Sequence, residues 1–333
     1  MSLRLVLLGY GEISERVHGP LLRRRQDVQV VAVADANAER RELARAHWPL
    51  AALVSDWREA LAFEADAAVV ALPPREHADA ACAALNATRH LYLEKPLATS
   101  VQDGQRVLAA ATASARVAML GFNYRFGPAE QARDWIAQGR LGRIVAIRSV
   151  FASPRRAVGW RASREAGGGA LQDLGCHHLD LVRFLTGDEA ADVRATLWSR
   201  ASEDDSAILD LRLSGGARVS SFFAHGLPSQ DRIEIVGETA RLLLDRRWPA
   251  PRVRGAEASG LLGELRDDLR GLLSPAHVRK LLAPRHEPSY ALAIGAFFAA
   301  VSGQRAAADL PGVEDGLETL QIVERAGRQA REP

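Results

Sequence analysis

Over its first 120 residues the chain alternates between short apolar runs and stretches where apolar positions return every three or four residues. Leu3 to Leu8, Val28 to Ala34, Ala67 to Leu72 and His90 to Leu93 are near-continuous apolar runs, the mark of strands buried on both faces. A short strand near Leu53 and another from Arg116 to Leu120 extend the series. Helical spacing fills the gaps: to about Arg25, from Ala38, after Asp56, from His77, and from Ser100 to about Ala113, where Ser100 and Asp103 form a capping box. This alternation predicts an N-terminal Rossmann-type doubly wound parallel sheet over residues 1–121.

Beyond that point the period changes. A helix from Ala129 to Gln138 is followed by longer alternating runs at Ile144 to Phe151, Val193 to Ser199, Ile208 to Leu213, Val219 to Ala224 and Ile233 to Val236, with Gly215-Gly216 as a hairpin turn. Residues 122–333 therefore read as a C-terminal α+β domain, a largely antiparallel open sheet with helices on one face. One of those helices runs from Ala170 to about Thr186 and is entered through three glycines, with Leu171, Leu174, Leu181 and Leu185 at helical spacing. Residues 246–287 are richer in arginine and proline and include an amphipathic stretch, Leu261 to Leu272, which reads as a cover over a site or a partner contact. Helices from Tyr290 to Ser302 and Val313 to Ala326 close the chain.

Composition adds mainly exclusions. With 43 Lys+Arg against 41 Asp+Glu over 333 residues the formal charge is +2, and the arginines are scattered, so neither a nucleic-acid surface nor a membrane surface is indicated. The longest apolar run, Tyr290 to Val301, is too short to span a bilayer, and Met1 leads straight into a strand with no signal-peptide pattern. Two cysteines, Cys82 and Cys176, in separate predicted helices make no metal spacing or disulfide ladder; a reducing, cytoplasmic setting and no metal are the expectations.

The candidate chemistry lies where strands end. The first strand runs into Gly9-Tyr10-Gly11-Glu12-Ile13-Ser14, a G-x-G-x-x-S turn in which Gly9 makes the bend and Gly11, Glu12 and Ile13 open a helix toward a pyrophosphate. The second strand stops at Asp35, placed to accept both ribose hydroxyls of an adenosine and to repel a 2'-phosphate, so NAD is expected and NADP is the alternative; Arg40 and Arg41 read as solvated. Later strand ends place Pro73, Pro74 and His77, and then Glu94-Lys95-Pro96, beside the expected cofactor; the fixed lysine, in a chain whose cations are almost all arginine, is placed to bond a cofactor ribose or a reacting hydroxyl. On the helix at 170, Asp173, His177 and Asp180 gather at about 100° per residue on one polar side, away from the leucines. A carboxylate one turn before an imidazole suits a general acid/base pair. His178 points toward the leucine stripe and reads as a core or interface histidine.

Taken in order, Gly9-x-Gly11, Asp35, Glu94-Lys95-Pro96, Gly121-Phe122-Asn123 and GGGALQDLGCHHLD resemble the Gfo/Idh/MocA oxidoreductases over nearly the whole chain. The resemblance implies an NAD(P)-binding first domain and a second domain that lines the substrate site and builds a homo-oligomer, dimer or tetramer, through its sheet. It implies Lys95, Asp173 and His177 as catalytic residues, Asn123 near nicotinamide and substrate, and Trp160, Arg161 and Tyr290 on the substrate side. Ser14 stands where the family more often has Ala, and residues 246–287 match no family pattern. The implied activity is hydride transfer between nicotinamide and a secondary alcohol of a sugar, polyol or related small molecule. A cofactor-binding regulator, or an enzyme that uses NAD transiently for elimination or hydrolysis, is the alternative.

Overall fold

Six parallel strands form the first sheet in the order β3-β2-β1-β4-β5-β6: β1 (Leu3–Leu8), β2 (Val28–Ala34), β3 (Ala52–Val54), β4 (Ala67–Val70), β5 (His90–Leu93) and β6 (Ala118–Leu120). The central strands are apolar on both sides because helices cover both, and Leu5 to Leu8 and Ala67 to Val70 have no exposed surface. The connecting helices are α1 (Gly19–Arg23), α2 (Ala38–His47), α3 (Trp57–Ala60), α4 (Pro74–Asn86) and α5 (Val101–Ser114). Asn37, Asp56 and Ser100 cap α2, α3 and α5 with their side-chain oxygens, so each helix starts where the sequence offers a short polar acceptor. Helix α4 begins at Pro74, three residues ahead of the expected start, because proline at the first helical position costs no hydrogen bond.

This computed structural model describes residues 2–87, 89–248, 250–255 and 287–330. The chain divides into two compact units. The first comprises Met1–Phe122, Glu165–Gly167 and Tyr290–Gln321, and the second Asn123–Arg164, Gly168–Ser289 and Ile322–Pro333. Helix α8 (Pro288–Val301) and most of the first half of α9 (Val313–Gln329) thus pack with the first sheet, whereas the sequence grouped everything after residue 121 with the second. The reason is a waiting apolar surface: Leu317 and Leu320 sit over Gly104 and Leu97, Phe297 packs edge-on against Tyr92, and Leu120 N donates to Pro311 O at 2.8 Å.

The second unit holds a seven-stranded sheet in the order β13-β12-β11-β7-β10-β9-β8. Its strands are β7 (Ile144–Ser153), β8 (Ala190–Trp198), β9 (Ser206–Leu213), β10 (Arg218–His225), β11 (Gln230–Gly237), β12 (Ala240–Asp245) and β13 (Arg252–Gly255). Every pair is antiparallel except β7 with β10. Strand β9 shows the pattern: Ala207, Leu209, Leu211 and Leu213 point into the core, and Ile208, Asp210 and Arg212 point out. Helices α6 (Pro128–Ala137) and α7 (Cys176–Thr186) supply the facing layer, with Ala129, Ala132, Leu179, Val182 and Leu185 in one cluster with the strands. Two strands escaped the sequence reading. Strand β12 carries three leucines in a row in place of an alternation, and β13 lies in the arginine-rich stretch taken as cover; Leu261 to Leu272 lies outside the described residues. Among the described residues no helix is long and apolar enough to cross a membrane.

Leu320→Ala removes a buried side chain from the α9 contact with the first sheet and should cost about 2–5 kcal/mol. Urea unfolding followed by the signal of the first unit checks this, and an unchanged midpoint would mean that α9 contributes nothing there.

Candidate functional site

The turn after β1 has only one solution. Gly9 has φ +94°, and a Cβ there would lie 2.5 Å from Ala71 O, so a side chain is excluded twice. Ser14, the departure from the usual small residue, is buried and donates from Oγ to Gly9 O at 2.6 Å, stitching the turn to the helix that follows. Gly11 is different: its backbone is ordinary and nothing lies within 4 Å of where its Cβ would be. Neither strain nor packing demands glycine at this position, and the bare backbone leaves room for a pyrophosphate to approach. Glu12 pairs with Arg16 at 2.8 Å along the outside of the same helix, and Ile13 is half-buried.

Asp35 closes the cradle. Its Oδ2 accepts from Tyr10 N at 2.7 Å and its Oδ1 from Asn37 N at 2.9 Å, one bond per oxygen, which leaves lone pairs for two ribose hydroxyls. Arg40 and Arg41 are committed rather than solvated. Arg40 pairs with Glu15 at 2.5 Å, and Arg41 donates to the carbonyls of Asp35 and Ala36 at 2.8 and 3.0 Å. The residues present therefore fit a dinucleotide with a free 2'-hydroxyl.

Two residues expected to touch that cofactor face inward. The His77 ring is fully buried, with Nδ1 2.6 Å from Pro96 O and Nε2 2.8 Å from Leu72 O. Burial pushes its pKa down against the pull of the two carbonyls toward the charged form. Glu94 is also buried, with Oε1 2.8 Å from His18 Nε2. Between them, Lys95 is half-buried and joined to Pro96 by a cis peptide. Pro73 and Pro74 serve to start α4, and Tyr290 lies in the first turn of α8.

In the second unit the glycine run presses against the turn Gly159–Ala162, which carries Trp160 and Arg161. A Cβ on Gly168 would lie 2.4 Å from Arg161 O, so only glycine permits this approach. Arg161 stacks over Trp160 and donates from Nε to Asp173 Oδ2 at 3.1 Å. His225, at the end of β10, brings Nε2 to 3.6 Å from the same oxygen. His177 lies flat on Tyr124, with centroids 4.3 Å apart at 18°. The Tyr124 hydroxyl donates to Asp231 Oδ2 at 2.8 Å, His178 Nε2 donates to Asp231 Oδ1 at 2.9 Å, and Arg246 covers Tyr124 at 3.9 Å. Asn123 is buried and donates to Ser289 Oγ at 2.7 Å.

The single polar face expected on this helix is thus divided. Asp173 goes to Arg161, His177 to Tyr124, and Asp180, with no exposure, to Arg125 through a two-armed ion pair at 2.5 and 2.9 Å. Asp180 is structural. Asp173 lies in a π-helical turn, Leu171–Gly175, ahead of α7, so the 100° step does not carry from it to His177 and Asp180. His225, Tyr124, Asp231 and Arg125 were missed because strand and loop residues tens of positions away carry no periodic signal of their meeting. A cavity of about 400 Å³ opens beside Tyr124, lined by His178, Asp231, Trp248 and Ser289 among others.

The chain matches two family descriptions: "Oxidoreductase family, NAD-binding Rossmann fold" over residues 3–122, and "GFO/IDH/MocA C-terminal domain" over residues 129–243. Inositol 2-dehydrogenase of Rhizobium meliloti is 28% identical over 100% of this chain and 98% of its own length. Levoglucosan dehydrogenase of Pseudarthrobacter phenanthrenivorans is 34% identical over 48% of this chain, and the match covers 43% of that enzyme. The WlbA dehydrogenase structure from Bordetella pertussis, in complex with NADH and UDP-GlcNAcA, is similar with a TM-score of 0.83 at 25% identity, over 99% of this chain and 96% of that one.

Two measurements follow from the first unit. Because the His77 pKa is lowered from 6.5, the unfolded chain binds the proton first, and stability should fall as pH drops below about 6.5. In His77→Gln the slope of melting temperature against pH between 6.5 and 5 should be shallower; an identical slope would remove His77 from the acid response. Asp35→Ala should weaken NAD binding and narrow the preference for NAD over NADP by about tenfold or more, since one lost ionic hydrogen-bond acceptor is worth roughly 1.5–3 kcal/mol. Fluorescence titration with both cofactors checks it.

Proposed function

This chain is a member of the GFO/IDH/MocA oxidoreductase family, and from that premise we propose that it oxidises a secondary alcohol of a sugar or polyol with NAD, using Lys95, Asp173 and His177 to handle the proton and the developing charge. The observation that carries this reading is the buried Asp173 carboxylate, paired to Arg161 and lying on the helical segment just before His177, in a chain that aligns end to end with an inositol dehydrogenase. Gly9, Gly11 and Asp35 would hold the cofactor, and NAD when bound accepts the hydride.

The remaining work falls to the protein. As the carbon gives up hydride its hydroxyl oxygen must lose a proton, and a ring nitrogen of His177 is the acceptor, held in a fixed plane by the Tyr124 ring. The Lys95 ammonium stabilises the alkoxide that builds up on the same oxygen. Asp173 accepts from a neighbouring substrate hydroxyl, and the hydrogen bond from Arg161 holds its carboxylate in place. Asn123, Trp160 and Tyr290 complete the reading on the substrate side. The cavity beside Tyr124 is lined by the carboxylates of Asp231, Asp245 and Glu287 and by Arg246, which pairs with Glu287 at 2.5 Å, and such donors and acceptors suit the hydroxyls of a sugar or glycoside.

Lys95→Ala, Asp173→Asn and His177→Ala should each lower turnover by about 10²–10⁴ while NAD affinity and melting temperature stay near wild type. The assay follows reduced nicotinamide and product mass together across sugars, cyclic polyols and glycosides. A near-normal rate in the His177 variant would take the base role from it, and product formation without net reduced nicotinamide would point to transient redox.

A further inference from the structure

The peptide that carries Lys95 is fastened on both sides by buried histidines. Ahead of it, Glu94 turns inward and its Oε1 lies 2.8 Å from Nε2 of His18, which has no exposure and carries the Tyr92 ring edge-on at 5.4 Å. Gly121 makes room for that carboxylate, since a Cβ there would come within 3.2 Å of Glu94 Oε2. Behind it, the Pro96 carbonyl meets His77, whose other nitrogen faces the carbonyl of Leu72 just past β4. A lysine turn needs neither arrangement for stability, because burying a carboxylate against an imidazole costs desolvation that an apolar pair avoids. The position of His18 is the informative part. It ends the π-helical turn Ser14–His18, which follows directly from the glycine turn and is tied to it through Ser14 and Gly9.

We propose that His18 is a positioning residue for Lys95: by donating from Nε2 to Glu94 it ties the lysine's turn to the helix of the dinucleotide cradle, so that the amine is placed by the same element that receives the cofactor. A carboxylate only accepts, so Nε2 carries the hydrogen. Without that donor the Glu94 carboxylate has nothing to compensate its burial, turns toward water and becomes a partner for the adjacent ammonium, which pulls Lys95 from its working position. The inference rests on Lys95 being catalytic, as read above.

The test compares His18→Leu, which fills the volume without a donor, with His18→Gln, whose amide nitrogen reaches close to the place of Nε2. In His18→Leu, turnover should fall by about 10²-fold, the scale of a misplacement near 1 Å, with the melting temperature still well above the assay temperature. His18→Gln should restore most of it. In a Lys95→Ala background, His18→Leu should cost less than about twofold more, because a residue acting through Lys95 has nothing left to act on. A second readout needs neither substrate nor cofactor. Acylation of Lys95 in the unloaded protein, followed by peptide mass with Lys280 as internal standard, should be about tenfold slower in His18→Leu, since a carboxylate beside the amine favours its protonated form. Equal losses in both backgrounds, or unchanged turnover and acylation in His18→Leu, would overturn the inference. Near-normal turnover in Lys95→Ala would instead overturn the reading of Lys95 on which it rests.

Discussion

Taking a carboxylate out of water costs several kcal/mol, by rough estimate, unless donors replace the lost hydration, and the turns of both units are arranged around supplying those donors. Asp35 is given two backbone N–H groups, Glu94 an imidazole, Asp173 a guanidinium, Asp180 both arms of Arg125, and Asp231 a phenol and an imidazole. Asp205 shows the balance most plainly. Burial alone would raise its pKa, yet the N–H groups of Ala201 and Ser202 and the Ser206 hydroxyl together hold it below the usual range. For Glu94, Asp173, Asp180 and Asp231 the donor comes from another segment, so satisfying the charge also fixes where that segment runs. The functional side chains are precise because their neighbours are paired.

The strands of the first sheet were legible because a parallel strand buried on both faces must be an apolar run, and β1, β2 and β5 fall where those runs lie. Gly9 was legible because the backbone there permits no side chain, and Asp35 because a carboxylate at the end of the second strand is placed for ribose hydroxyls. What stayed hidden depended on partners distant in sequence. Glu94 meets a histidine 76 residues away and Asn123 a serine 166 away, and no local period encodes either. His77 lies in the first turn of α4, beyond the end of β4, and its orientation is set by the carbonyl of Pro96, which periodicity does not describe. The helix at 170 failed in a third way: its existence was evident, but Asp173 lies in a π turn that breaks the 100° step to His177 and Asp180, and the partners of all three lie elsewhere in the chain.

Both units place a π turn directly before or within the helix that carries their candidate site residues, Ser14–His18 in one and Leu171–Gly175 in the other. A π turn holds an extra residue, so it offers side chains at angles a regular helix does not present. In the first unit this lets Ser14 turn back to Gly9 while His18 turns inward to Glu94. In the second it lets Asp173 and His177 take separate partners while α7 keeps its leucines in the core. Side-chain placement is thus obtained by deforming the helix start and leaving the sheets regular.

The return of Tyr290–Gln321 to the first unit makes that unit discontinuous in the gene. Its first 122 residues are not an interchangeable cassette. Leu97, Gly104 and Leu120 are complementary to Leu317, Leu320 and Gly316 near the other end of the chain. A recombination event that swapped the N-terminal third alone would set those surfaces against a foreign helix. Inheritance of the nucleotide-binding half therefore requires Leu97, Gly104 and Leu120 to be passed on together with Leu317, Leu320 and Gly316, about 200 residues later.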